Sequence, residues 1–98
     1  MELKISYKHL ESTPSIEEKI QKKAEKLKKY YHGKVHIDWI CSVDSGVHTS
    51  EVTARGGNLD CHASASDDSL YKTFDEVVAK LERQISKKFD QVKEKIHR

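Results

Sequence analysis

The chain has 98 residues, a length that accommodates one domain with a modest core. Hydrophobic residues make up 36% of it and charged residues 35%, and no apolar run approaches the roughly 20 residues that a membrane-spanning helix needs. The N-terminus lacks the basic and apolar regions of a signal peptide. We therefore expect a cytoplasmic protein whose two cysteines, Cys41 and Cys61, remain free thiols.

The net charge of +2 hides an uneven distribution along the chain. Residues 19–34 carry seven lysines and one acid, which gives +6, and residues 80–98 carry seven basic residues and three acids, which gives +4. Residues 1–18 sum to −2 and residues 35–79 to −6. Two basic blocks separated by an acidic middle indicate a polyanionic partner.

The first two elements are a strand and a helix. Apolar and polar residues alternate over 2–8, which predicts a strand with one apolar face. Thr13 and Pro14 are typical of a helix N-cap and first helical position. Apolar residues then recur at spacings of three and four, which predicts a helix that stops at Gly33. These apolar positions are Ile16, Ile20, Ala24, Leu27 and Tyr31.

Three strands follow the helix. Alternation predicts strands over 35–43, 50–55 and 59–65, with turns at residues 44–46 and 56–58. The inward residues of the last strand are small, so we expect a bulky element to pack there. The strand residue Trp39 is most simply part of the core.

A long helix ends the chain. Residues 66–69 supply N-cap candidates, and apolar residues keep a helical period from Leu70 to Ile96. Each helix has one apolar stripe and the sheet has one apolar face. We therefore predict one α+β domain over residues 1–98, of order β-α-β-β-β-α, with two helices packed on one face of a four-stranded mixed sheet. The first strand–helix–strand unit is expected to be a right-handed parallel crossover, and the other strands antiparallel hairpins.

The polar sides of the two helices carry the main functional signal, because they hold basic residues at helical spacing. If the helices lie side by side, these rows merge into one basic surface that suits the phosphates of an RNA duplex. The alternative is a pair of solvated helix faces. The rows are Lys19, Lys22, Lys23, Lys26 and Lys29 in the first helix, and Lys80, Arg83, Lys87 and Lys88 in the second.

Six histidines and two cysteines raise the question of a metal site or a reactive thiol. There is no C-x-x-C and no compact ligand cluster, so we expect no metal. Cys61 and His62 are adjacent in a strand and point to opposite faces. A thiol-dependent enzyme that pairs Cys61 with His36 or His48 remains an alternative.

Six segments stand out together: Lys26–Tyr30, His48–Ser50, Gly56-Gly57, His62–Ala65, Leu70-Tyr71 and Lys80–Lys87. They resemble the family of short hibernation promoting factors and ribosome-associated inhibitors, the sigma-54 modulation protein family. The similarity covers essentially the whole chain, and its most specific block is Lys-Leu-Glu-Arg-Gln at residues 80–84. Ser69 departs from the family, which usually has Asp there.

The resemblance implies a fold similar to a double-stranded RNA-binding domain. It also implies a ribosome hibernation factor that binds the 16S rRNA of the small ribosomal subunit in the mRNA and tRNA channel. Translation then stops, and inactive dimeric ribosomes are promoted in stationary phase or stress. The family's RNA-facing positions correspond to six residues here, and spacing adds Lys88. The six are Lys23, Lys26, Lys29, Lys80, Arg83 and Lys87.

A binding protein of this kind needs no cofactor, metal, small-molecule substrate or membrane, and we expect no enzymatic activity. Because the chain ends at Arg98, we expect neither the dimerising domain of the long form nor the acidic tail of the related inhibitor. The protein is then a monomer off the ribosome, and ribosome dimers need a separate modulation factor. The rival interpretation is a general double-stranded RNA-binding module without ribosome specificity.

Overall fold

A computed structural model of the chain describes residues 1–31, 33–57 and 59–96, and its side chains through residue 88 outside these gaps. It confirms the predicted order of elements. The elements are β1 (Glu2–Lys8), α1 (Pro14–Lys28), β2 (His36–Asp44), β3 (Val47–Gly56), β4 (Leu59–Asp67) and α2 (Leu70–Ile96).

The four strands form one mixed sheet in the order β1-β2-β3-β4. β1 and β2 are parallel, as predicted for a strand–helix–strand unit, and the other two pairs are antiparallel. Trp39 lies opposite Ile5 on one side and Val52 on the other, and Val52 lies opposite Ala63. This register places most apolar residues of the four strands on one face of the sheet.

Both helices cover that apolar face, which confirms the predicted layer arrangement. α2 packs mainly on β4 and β3, where the small residues Cys61, Ala63 and Ala65 leave room for Phe74 and the other apolar residues of the helix. Both cysteines are buried free thiols, and the indole of Trp39 is fully buried, as expected. The predicted α2 positions beyond residue 88 lie outside the described side chains.

Glycines are required at both ends of β3. Ser45 and Gly46 both have positive φ values, 49° and 80°, as a two-residue type I′ hairpin turn requires. Gly56 is needed for a different reason, since a Cβ there would lie 2.7 Å from Cδ1 of Tyr31 and 2.8 Å from the carbonyl oxygen of Lys34. The loop after α1 therefore packs directly on the end of β3.

The start of α1 agrees with the sequence, but its end does not. Thr13 is the N-cap, and its Oγ1 accepts a hydrogen bond from the Ile16 N–H at 3.1 Å. The helix ends at Lys28, before Gly33, because Tyr31 leaves the helical path and is buried. Its hydroxyl donates to the carbonyl oxygen of Ala54 in β3 at 3.3 Å. Tertiary packing of one aromatic residue thus shortens the predicted helix.

A buried chain of hydrogen bonds ties the sheet to α2. Trp39 Nε1 donates to Ser50 Oγ at 3.2 Å, and Ser50 Oγ lies 2.8 Å from Thr73 Oγ1. Thr73 donates its hydroxyl proton to the carbonyl oxygen of Leu70 at 2.5 Å, so Ser50 must donate to Thr73. Ser50 and Thr73 are fully buried, and these bonds satisfy both hydroxyls. The network fixes where the first turn of α2 sits on β2 and β3.

Candidate nucleic-acid interface

The side of α1 that faces α2 is basic. Together the two helices form an open groove of about 440 Å³, which we call the inter-helix groove. Its lysines project from successive turns of α1, because positions three and four apart share a helix face. The groove is lined by Ser15, Glu18, Lys19, Lys22, Lys23, Lys26, Tyr71, Phe74 and Asp75.

Two polar contacts hold the helices together along this groove. Lys23 Nζ lies 2.5 Å from Asp75 Oδ1, and the Tyr30 hydroxyl donates to Glu82 Oε2 at 2.6 Å. The hydrogen bond with Asp75 raises the pKa of Lys23, and the bond to Glu82 raises the pKa of Tyr30. The flank of α2 that faces α1 is therefore acidic and is matched to the basic flank of α1.

The basic residues of α2 lie on its other flank, beside the free edge of β4. Lys80 Nζ donates to the carbonyl oxygen of Ser64 at 2.8 Å, and Lys88 donates to that of Asp60. Between them, Gln84 makes two hydrogen bonds with the backbone of His62, donating to its oxygen at 2.7 Å and accepting from its nitrogen at 3.4 Å. We call this surface the β4-edge patch. It comprises Ala63, Ser64, Lys80, Arg83, Gln84 and Lys87, with Lys88 beside them.

The two basic rows do not merge into one surface as the sequence suggested. The inter-helix groove and the β4-edge patch share no lining residue, and α2 lies between them. Glu82 contacts α1 while Lys80 contacts β4, which places these α2 residues on opposite flanks of the helix. The protein therefore presents two basic patches on either side of one helix.

The seven predicted RNA-binding residues differ in their surroundings. Four are exposed side chains that bind no protein oxygen within the described residues, and Lys29 Nζ lies 5.2 Å from the Tyr30 ring centroid. The other three, Lys23, Lys80 and Lys88, already bind protein oxygens. An ammonium group has three donors, so each keeps two for a phosphate. The four residues of the first kind are Lys26, Lys29, Arg83 and Lys87.

Two residues at these patches were not identified from the sequence. Tyr71 lies in the inter-helix groove with 42% of its surface exposed. Gln84 binds both backbone groups of His62 as a neighbouring strand would. The spacing of 80, 84 and 88 marks a single helix face, and this is the one signal in the sequence that could have indicated a shared role.

The structure gives Cys61 no histidine partner of the kind considered from the sequence. Cys61 lies opposite Ala54, and His48 is six residues further along β3, about 20 Å away. The side chain of His36 is on the other face of the sheet, where its Nδ1 lies 2.7 Å from Glu2 Oε2. Burial raises the pKa of Cys41 to about 11, which disfavours the reactive thiolate.

The described part of the chain contains no group of three or more histidine, cysteine, aspartate or glutamate residues arranged to hold a metal ion. None of the described helices is long and apolar enough to cross a membrane.

Comparison with known proteins assigns the family. The profile of the family described as Sigma 54 modulation protein / S30EA ribosomal protein matches residues 3–93. The chain belongs to this family. Among its relatives, the ribosome hibernation promoting factor of Escherichia coli K12 is 30% identical over 96% of this chain and 99% of its own length. The ribosome-associated factor Y of Haemophilus influenzae is 36% identical over 89% of this chain and 81% of its own.

Solved structures show the same fold. The N-terminal domain of Protein Y from Thermus thermophilus superposes with a TM-score of 0.82 at 24% identity, covering 89% of this chain and 98% of that one. A ribosomal subunit interface protein from Coxiella burnetii gives 0.79 at 21% identity, covering 92% and 99%. The order β-α-β-β-β-α on a mixed sheet is therefore the fold of this S30EA family member.

Proposed function

We propose that this protein is a ribosome hibernation factor that binds the 16S rRNA of the small ribosomal subunit in the mRNA and tRNA channel. The observation that carries the proposal is the pair of basic patches on either side of α2, in a chain of the S30EA family. The names of its relatives, hibernation promoting factor and ribosome-associated factor, support a ribosomal partner.

The mechanism is steric and electrostatic. A protein that occupies the channel excludes mRNA and tRNA, so translation stops without any chemical step. Lysine and arginine side chains neutralise phosphates and release counterions, which supplies affinity with little sequence reading. The RNA-binding residues are the seven predicted ones, and three of them are held in place by protein oxygens before the RNA arrives.

The protein acts in the cytoplasm during stationary phase or stress and is a monomer off the ribosome. It promotes inactive dimeric ribosomes together with a separate modulation factor. It requires no cofactor and acts by binding alone.

The first prediction concerns the β4-edge patch. Arg83→Glu with Lys87→Glu places two acids where phosphates would lie, so we expect binding to small subunits to be lost at physiological salt. Both residues are exposed, so the fold is retained. The measurement is co-sedimentation with small subunits over a salt series. About six phosphate contacts give the wild type a log–log slope of about −5, and each lost contact makes the slope about one unit shallower.

Lys4→Glu with Lys8→Glu is the matched control, because it makes the same change in net charge on exposed β1 residues of the opposite sheet face. It should bind close to the wild type. Equal loss in both double variants would mean that only net charge matters, and unimpaired binding of the helix variant would mean that the RNA-binding face is wrong. Displacement from ribosomes by an unrelated RNA duplex at equal concentration would favour the rival general duplex-binding function.

A further inference from the structure

The inter-helix groove contains an exposed aromatic ring as well as lysines. Tyr71 is the one exposed aromatic side chain among those the structure describes. The other described rings are buried or half-buried in the core or against it: Trp39, Phe74, Tyr31, Tyr7 and Tyr30. A tyrosine that is 42% exposed on a basic surface offers part of its ring to a ligand.

The Tyr71 ring is held in position by two neighbours. Its centroid lies 5.7 Å from that of Phe74 with the planes at 82°, an edge-to-face contact with the core. Its hydroxyl lies 3.4 Å from Ser15 Oγ at the start of α1. The ring is therefore pre-oriented although much of its surface is open.

A lysine ammonium lies over this ring. Lys19 Nζ lies 5.1 Å from the Tyr71 centroid, and Lys22 and Lys26 line the same groove. Lys22 contacts Glu18 at 3.4 Å, but both side chains are about 70% exposed, so the pair is weak. No carboxylate within the described part of the chain lies within 4.0 Å of the ammonium of Lys19 or Lys26.

We propose that the inter-helix groove binds an unpaired nucleotide of RNA, whose base stacks on Tyr71 and whose phosphate pairs with Lys19 and Lys26. Exposed aromatic rings flanked by cations are the arrangement by which proteins bind single-stranded nucleic acid. A base within a duplex has both faces covered by its neighbours, so the ring selects unpaired positions. The inference rests on the proposed function for the identity of the RNA and adds to it a nucleotide subsite distinct from the β4-edge patch.

The second prediction tests the stacked base directly. We compare binding of an oligouridylate of about eight nucleotides with that of an abasic oligonucleotide of the same length and charge. Stacking of one base on the ring should make the wild type bind the base-bearing strand between about 5-fold and 150-fold more tightly than the abasic strand. Tyr71→Leu should lose this preference, because it keeps an apolar side chain without a ring. Tyr71→Phe should retain it, which separates stacking from any effect of the hydroxyl.

The same variants are then bound to small subunits. Tyr71→Leu should bind more weakly with an unchanged salt slope, since no phosphate contact is removed. Circular dichroism shows that each variant is folded. Equal binding of base-bearing and abasic strands by the wild type would overturn the inference, whatever the ribosome result. If the base preference holds but the wild type ignores small subunits, the nucleotide subsite stands and the proposed hibernation function is wrong.

Discussion

At the scale of single residues, the buried hydroxyl of Ser50 connects three elements. It accepts from the Trp39 indole and donates to Thr73, so the large indole can be buried in the core with its one polar atom satisfied. A buried donor without a partner loses its hydration and gains nothing in return. The stability of the core around Trp39 therefore depends on an oxygen at position 50.

The third prediction follows from this dependence. Ser50→Ala leaves the Trp39 N–H buried without an acceptor, and we expect the free energy of unfolding to fall by about 1–3 kcal/mol. Urea denaturation followed by the fluorescence of Trp39 measures the loss. Ser64→Ala, on the exposed face of β4, is the control and should unfold like the wild type. An unchanged midpoint for Ser50→Ala would mean that a water molecule or another group takes over the acceptor role.

Core positions of this kind are only partly predictable from the sequence. Alternation places Trp39 and Ser50 on the inner face of the sheet, and the structure confirms both as buried. The partner Thr73 lies 23 residues beyond Ser50. Its contact depends on where α2 lies across the strands, which local periodicity does not determine. Tyr71 was missed for the same reason, since its exposure depends on the position of α1.

At the scale of elements, α2 pairs with the edge of β4 because four residues of a helix and two residues of a strand cover nearly the same length. Four residues of a helix rise about 6.0 Å, and two residues of a strand span about 6.7 Å. A row at helix positions 80, 84 and 88 therefore meets strand residues 64, 62 and 60 in turn. The row occupies backbone groups that an edge strand otherwise offers to other chains.

The fourth prediction tests this protection of the edge. Gln84→Ala removes both hydrogen bonds to His62, and we expect a loss of about 1 kcal/mol in the free energy of unfolding. The freed edge should also let copies of the protein associate. Urea denaturation measures the first effect and sedimentation velocity over a concentration series the second.

Ser86→Ala is the matched control for the edge variant, because Ser86 is exposed on the same helix. It should change neither the unfolding midpoint nor the sedimentation coefficient. A monomeric Gln84→Ala protein of wild-type stability would show that Lys80 and Lys88 alone are enough to protect the edge.

The sequence predicted the elements better than their mutual orientation. Order, strand pairing and the helix start at Thr13 followed from alternation and capping chemistry. The end of α1 did not, because burial of Tyr31 overrides the helical pattern. Helical spacing grouped the basic residues within each helix. It does not determine which neighbouring element each group faces. The separation into two patches therefore required the packed structure.

At the scale of the whole molecule, charge is divided between two sides. The sheet face opposite the helices carries both signs, with Asp38, Glu51 and Asp60 among its acids. Asp75, another acid of residues 35–79, instead contacts Lys23 of the neighbouring helix. The basic patches lie on the helix side. We interpret the acids of the sheet face as groups that repel RNA from that side and so orient the protein.

The fifth prediction tests this orienting role. Asp38→Asn, Glu51→Gln and Asp60→Asn together remove three negative charges from the sheet face. Since a unit charge about 4 Å from a phosphate in water is worth about 1 kcal/mol, even one relieved repulsion should tighten binding to an unrelated RNA duplex by about fivefold. The measurement is a salt titration with that duplex, compared with Glu11→Gln, Glu25→Gln and Asp68→Asn, which remove the same charge from other exposed positions.

The orienting role requires that the sheet-face variant gain more affinity for the duplex than the control variant. The reason is that its open face then accepts phosphates, so the RNA can bind in two orientations, whereas the control still offers only the helix side. Equal gains in the two triple variants would mean that the acids act only through net charge. In that case the two patches beside α2 alone would determine how the protein meets RNA.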